Sequence, residues 1–261
     1  MIPKHIILSS NENPKYIEFW PLVSGAWKKL FGMEVWLALV APEGRFDLKS
    51  LREHGHVRRY DPVPGVPTGN QAKVARYHLA AEWGDDTLIM THDLDLLPLQ
   101  REYTLQLLSQ RPAGHLLTIG SEHYVGPEAG KFTAGYLTAE SRVWRQLANP
   151  ARFDWDIFIK SFIGLRVCDH KEDISRTVHH EDPGTFSDES LLRALMQLNP
   201  VPLVRLPFGY WPYITRALDR SNWQFDPAKL AAGIYVEAHL LRPLSAHKDR
   251  IQPLIDYLNH V

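Results

Sequence analysis

The chain has 261 residues, 44% hydrophobic and 11% aromatic, enough for one large α/β domain with a substantial core. Its 29 lysines and arginines balance 30 acidic residues, so no global field draws it to nucleic acid or to an anionic membrane, and any anionic ligand needs a local site. The single cysteine, Cys168, excludes an intrachain disulfide framework and a cysteine metal cluster.

The opening stretch Met1 to Ser10 is too short and too quickly polar for a signal peptide. No apolar run approaches the ~20 residues of a transmembrane segment, so a cytoplasmic protein is expected. His5 to Ser9 predicts a strand, followed by the polar turn Ser10 to Pro14 and an aromatic-rich helix from about Tyr16 to Phe31. Glu34 to Val40 predicts a second strand. A strand, loop, helix, strand order begins a parallel doubly wound sheet.

The proline-rich loop Asp61 to Gly69 continues neither element. Asn70 to Trp83 returns to helical spacing, with Ala72, Ala75, Leu79 and Ala80 on one face. Beyond residues 86–99, Glu102 to Gln110 predicts a helix, Leu116 to Ile119 a strand and Gly120 to Lys131 a loop. Phe132 to Leu137 predicts another strand and Glu140 to Ala148 a helix. The polar stretch Asp169 to Gly184 has too few apolar residues to pack on its own and suggests a mobile loop or lid. Ser187 then caps an apolar helix through Leu198. Short strands follow near Leu203 and over Ile234 to Ala238, with a last helix over Ala246 to Asn259. No repeat or linker interrupts the chain, so a single domain over 1–261 is expected.

The most informative segment is Asp86 to Leu99, where the apolar run Leu88, Ile89, Met90 ends in Asp93-Leu94-Asp95. A two-residue period would point both carboxylates to the same side of a strand end. Anions that close repel, and a hard divalent cation shared with substrate phosphates is a natural remedy. The alternative is a solvated turn that caps a helix starting near Gln100. His92 would face the other way on the strand, which makes it a weaker ligand than His239, another imidazole at the end of an apolar segment.

The order of these segments resembles the GT-A class of nucleotide-sugar glycosyltransferases over most of the chain. That resemblance implies a Rossmann-like, mostly parallel sheet flanked by helices, with a nucleotide-sugar half at 1–99 and a smaller acceptor half at 100–261. Ser9-Ser10-Asn11 matches the segment that holds base and ribose, and Lys73 and Arg76 lie on the helix before the DxD strand. Asp95 is implied as a direct metal ligand, Asp93 as a contact to ribose or metal-bound water, and His239 as the late histidine completing the site. Phe132 to Leu137 resembles the strand under donor sugar and acceptor, where Gly135 lets ligand approach the backbone. Ser187 to Leu192 resembles the acidic segment that supplies the base of inverting members, with Asp188 preferred over Glu189.

The implied activity is metal-dependent transfer from a nucleotide diphosphate donor, with a UDP-sugar expected, to a carbohydrate or glycan hydroxyl with inversion. A carboxylate with an imidazole suits Mn²⁺ or Mg²⁺ better than structural zinc. Lys73 and Arg76, three apart, are neighbours on one helix face and could grip phosphate or simply meet solvent. Tyr136, Trp211 and Tyr213 are either sugar-stacking aromatics or core. The quartet His179-His180-Glu181-Asp182 is a rival metal cluster, although adjacent histidines project in different directions. A metal-dependent nucleotidyltransferase or hydrolase, and a non-catalytic nucleotide-sugar binding module, remain as alternatives.

Overall fold

The computed structural model describes residues 2–120, 133, 135–148, 154–161, 188–207 and 216–261. Its centre is a seven-stranded sheet formed by β1 (His5–Asn11), β2 (Glu34–Val40), β3 (His56–Tyr60), β4 (Leu88–His92), β6 (Leu116–Ile119), β7 (Tyr136–Glu140) and β8 (Leu203–Leu206). The strand order is β3-β2-β1-β4-β7-β6-β8, and only β7 runs against the rest. A second sheet has the order β5-β10-β9, from Leu96–Pro98, Glu237–His239 and Ala217–Leu218. The mixed α/β architecture with a largely parallel central sheet agrees with the expectation from the sequence.

Both faces of the large sheet are covered, which is why β1 and β2 are nearly continuous apolar runs rather than alternating ones. Ile6 and Leu8 point into one core with α2 (Trp20–Phe31) and the last helix α10 (Lys248–His260). Ile7 points into the other, with α4 (Thr68–Ala80), α6 (Ser141–Ala148), α7 (Trp155–Lys160) and α8 (Asp188–Leu198). Helix α4 lies between the sheet and this outer helical layer, so its burial exceeds a single amphipathic stripe. Gln71, Arg76, Tyr77 and His78 are buried with the alanines. Gln71 grips the proline-rich loop: its Oε1 accepts from Val63 N at 2.9 Å, and its Nε2 donates to the carbonyls of Val63 and Val66, each at 2.8 Å.

Several predicted boundaries move for local reasons. The helix expected over Tyr16 to Phe31 is two, α1 (Pro14–Ile17) and α2, because Pro21 has no amide hydrogen and suits a first turn rather than a helix interior. Gly32 ends α2 in the left-handed conformation (φ 66°) with its N–H on the Lys28 carbonyl at 2.9 Å. The strand expected over Phe132 to Leu137 is observed at Tyr136–Glu140, where pairing with β4 sets its bounds, and Phe132 lies outside the described residues. The final helix begins at Lys248, after a 3₁₀ turn at Leu244–Ala246. The Asp169 to Gly184 segment and Ser187 also lie outside the described residues. No helix among the described residues is long and apolar enough to cross a membrane.

A buried ion pair fixes the connection from α5 (Arg101–Leu108) to β6. Arg111 donates through Nη1 and Nη2 to the two oxygens of Glu140, both at 2.8 Å, and through Nη1 to the Pro112 carbonyl at 2.9 Å. Burial alone would raise the Glu140 carboxyl above its ordinary range, but the Arg111 hydrogen bonds outweigh it and hold the group below that range. Glu140→Ala should lower the unfolding free energy at pH 7 by about 3–5 kcal/mol, because it leaves a buried guanidinium uncompensated. A depressed carboxyl stabilises above its unfolded value of about 4.3 and loses that contribution as pH falls through the folded value. Urea titrations should therefore show the wild-type advantage shrinking on acidification from pH 6 to pH 3; a constant gap would contradict this assignment.

Candidate active site

In an open α/β sheet, ligands bind outside the carboxyl ends of the strands where the strand order reverses. Here that point lies between β1 and β4, since β2 flanks β1 on one side and β4 on the other. Asn11 ends β1 and His92 ends β4, so Ser9-Ser10-Asn11 and Asp93-Leu94-Asp95 both sit at this crevice. The two acids do not continue a strand as their spacing suggested. The chain leaves the large sheet at His92, turns with Leu96 N on the Asp93 carbonyl at 3.3 Å, and enters the small sheet at Leu96. Leu94, buried at the corner, anchors the turn in the core. Across the turn, Asp93 and Asp95 meet different cations.

Asp95 is buried, with a side chain 9% exposed, and lies among positive groups. Its Oδ2 accepts from Arg220 Nη1 at 2.5 Å, and it lies 3.4 Å from His239 Nε2 and 3.7 Å from Arg242 Nε. The register of β10 on β5 places His239 opposite Leu96, and Leu240 N donates to the Asp95 carbonyl at 2.8 Å, which brings imidazole and carboxylate together. Burial alone would raise the Asp95 carboxyl, but His239 and then Arg220 outweigh it and hold the group far below the carboxylate range. His239 shows the converse. Burial would lower its pKa, yet Asp95 on one side and Asp219 on the other push it up to about 9. Arg242 is steadied from the N-terminal half: its guanidinium carbon lies 4.6 Å from the Tyr16 ring centroid and its Nη1 donates to Tyr16 Oη. Glu18 accepts from the backbone N–H groups of Leu244 and Ser245 and fixes the same segment.

Asp93 pairs instead with Arg76, whose Nη1 donates to Asp93 Oδ1 at 2.5 Å and to the His92 carbonyl at 3.1 Å. Arg76 is 1% exposed, so the solvated-face alternative is replaced by a buried guanidinium that reaches through the helix and sheet interface. Lys73, one turn earlier on α4, is half-buried. A Cβ at Gly135 would lie 3.3 Å from Asp93 Oδ2 and 3.2 Å from Leu96 Cδ1, so this glycine leaves room for the carboxylate. His92 is fully buried and donates Nδ1–H to the Asp93 carbonyl at 3.0 Å, with its ring against Trp27 and Tyr136. Burial drives its pKa down to about 4, so it remains neutral at neutral pH. Tyr136 is buried too, and its hydroxyl donates to Glu237 Oε2.

The end of β1 is tied to α4. Ser10 Oγ donates to the Asn11 carbonyl at 3.0 Å, and Asn11 Nδ2 donates to Thr68 Oγ1 at 3.1 Å; Ser9 is half-buried beside them. Helix α8 begins at Asp188 and packs on α4 and α6 through Leu191, Leu192 and Leu195. Glu189 is half-buried at its first turn. The Asp188 side chain, His179 to Asp182, Trp211 and Tyr213 lie outside the described residues.

No group of three metal-capable side chains forms among the described residues, and Asp93 is paired with Arg76. Asp95 and His239 nevertheless fit a divalent ion. They offer one carboxylate oxygen and one imidazole nitrogen 3.4 Å apart, a donor pair that suits Mn²⁺ or Mg²⁺ with the remaining positions left to water and phosphate oxygens. Asp95 Oδ2 is held here by the Arg220 guanidinium. Arg220, Arg242, Asp219 and Tyr16 belong to this arrangement, and sequence reasoning missed all four. Asp219 and Arg220 carry a local signal, because Asp-Arg-Ser-Asn is a capped turn, but nothing in it points to a carboxylate 125 residues away.

No protein-family model matches the chain, and no curated protein matches it in sequence. Among solved structures it is similar to the glycosyltransferase GlyE of Streptococcus pneumoniae TIGR4 (14% identity, TM-score 0.43) over 78% of this chain, which spans 45% of that one. It is also similar to the galactosyltransferase LgtC (15% identity, TM-score 0.44, 90% of this chain and 86% of the other). A third is mouse xyloside xylosyltransferase 1 (12% identity, TM-score 0.43, 92% and 98%).

The Arg76 contacts make a direct test of how Asp93 is held. Arg76→Met should lower the unfolding free energy by about 3 kcal/mol, because the carboxylate and the His92 carbonyl lose their shared donor. Arg76→Lys should recover only part of that loss, since an ammonium lacks the planar fork. Equal stability of the methionine variant and the wild type in urea titrations would show that the pair carries no structural weight.

Proposed function

We propose that this chain is a metal-dependent glycosyltransferase that moves a sugar from a nucleotide diphosphate donor to a carbohydrate or glycan hydroxyl. The observation that carries the proposal is the convergence of Asp95, His239, Arg220 and Arg242 at the carboxyl end of β4, beside the strand-order reversal. In this reading Ser9, Ser10 and Asn11 at the end of β1 line the place of base and ribose. Asp93, fixed by Arg76, faces the ribose side, and Gly135 leaves space beside it. Asp95 and His239 would hold Mn²⁺ or Mg²⁺. When bound, the ion acts as a Lewis acid that stabilises the departing diphosphate.

Arg220 and Arg242 add positive charge on the same side, where a guanidinium matches paired phosphate oxygens. Charge grows on those oxygens as the anomeric carbon becomes oxocarbenium-like, so preplaced cations favour the transition state over the bound donor. The bond from the anomeric carbon to the diphosphate oxygen breaks with its electron pair on the leaving group. The acceptor oxygen forms the new bond and gives up its proton. For inversion, Asp188 at the head of α8 takes that proton, with Glu189 as the neighbouring candidate. A UDP-sugar is the donor that the sequence resemblance favours.

Incubation with a panel of nucleotide sugars and simple saccharides, with and without Mn²⁺, should release a nucleoside diphosphate together with a glycosylated product. Release of pyrophosphate would mark a nucleotidyltransferase instead, and metal-independent binding without turnover would mark a binding module. Asp95→Ala should reduce turnover by about 10³-fold, the scale of several kcal/mol of lost charge stabilisation. Turnover unchanged in that variant would remove Asp95 from the chemistry.

A further inference from the structure

We infer that Asp219 is a positioning residue that fixes His239 as an Nε2 ligand; this rests on the proposed metal-dependent transfer and deepens it. An imidazole offers either of its ring nitrogens, and the choice is set by what the other one is bound to. Here the two nitrogens face two different carboxylates. His239 Nε2 lies 3.4 Å from Asp95 Oδ2, and Nδ1 lies 3.3 Å from Asp219 Oδ2. With a cation beside Asp95, the only proton left on the ring sits on Nδ1 and is donated to Asp219. This is a carboxylate, histidine and metal relay, in which the outer carboxylate sets ring orientation and raises the basicity of the ligating nitrogen.

The outer carboxylate is itself built in. Asp219 Oδ1 accepts from Ser221 N at 2.8 Å and from Ser221 Oγ at 2.5 Å, as the cap of the 3₁₀ turn Arg220–Asn222. That leaves Oδ2 free of the cap and turned to the imidazole. The same turn carries Arg220 to Asp95, so two adjacent residues engage both members of the proposed ligand pair. Parallel pairing of β9 with β10 holds the turn there: Ala217 and Leu218 lie opposite Glu237 and Ala238, and the next residue on each strand is Asp219 and His239. An acid at 219 serves no packing purpose that serine or asparagine would not meet, since either caps a turn as well. Its distinguishing property is a full negative charge on the far side of the ring.

The test is the affinity of the full chain for Mn²⁺ alone, read from the electron paramagnetic resonance of free Mn²⁺, for wild type, Asp219→Asn, Asp219→Glu, His239→Gln and Asp95→Asn. Asparagine keeps the cap but removes the charge, and urea titration of each variant checks that it is folded under the binding conditions. Asp219→Asn should weaken Mn²⁺ binding about 10–100-fold, and Asp219→Glu should restore part of it. In the Mg²⁺-loaded wild type, the ¹⁵N shifts of His239 should show a protonated Nδ1 and an unprotonated Nε2. Binding within twofold of wild type in Asp219→Asn, with His239→Gln and Asp95→Asn both impaired, would overturn the role of Asp219 alone. Undiminished binding in His239→Gln and Asp95→Asn, or no binding in the wild type, would overturn the metal site itself and this inference with it.

Discussion

A carboxylate buried at the mouth of a sheet is the constraint around which the rest of the crevice is arranged. Asp95 is withdrawn from water by the turn between two sheets, and an isolated charge there would be prohibitive. The fold answers with an imidazole and two guanidinium groups from the last quarter of the chain. The small sheet exists, in this sense, to deliver those groups. Its middle strand β10 brings His239, and β9 leads into the turn that holds Arg220.

Two acids only two positions apart have different tasks because the chain bends between them. Asp93 is held by Arg76 from the helical layer, an interaction that braces the end of β4 against α4. Asp95 faces the other sheet and a denser positive field. The first arrangement is rigid, since Arg76 is locked in the interior. The second is more open to water, since the arginine side chains at Asp95 are 25–30% exposed.

Much of the framework was legible from the sequence because the pattern of apolar runs is itself a record of burial. His5 to Ser9, Glu34 to Val40 and the apolar run from Leu88 read as strands and are observed as such, with β1 running two residues further, to Asn11. β3 escaped notice because His56-Val57-Arg58-Arg59-Tyr60 is an edge strand whose charged residues face water, where apolar periodicity fades. The single-sided helix expected over Asn70 to Trp83 proved to be buried nearly all round, since a second helical layer covers it. For the site, residue types at strand ends pointed to Asp93, Asp95 and His239. Arg76 was singled out too, though for a ligand and not for Asp93, whereas Arg220 and Arg242 were invisible, because long-range pairing leaves no trace in spacing along the chain.

The strap formed by Tyr16 and Glu18 carries a consequence for how the molecule comes into being. These side chains clasp Arg242, Leu244 and Ser245 at sequence separations of 226 and 227, so an early-synthesised segment waits for one of the latest before the crevice is closed. Loop closure over that distance belongs to the slow, late part of folding. During synthesis Asp93 therefore follows its partner Arg76, whereas Asp95 precedes Arg220, His239 and Arg242 by more than a hundred residues. A nascent chain halted before residue 237 would carry the strands of the large sheet and Arg220, but neither His239 nor Arg242.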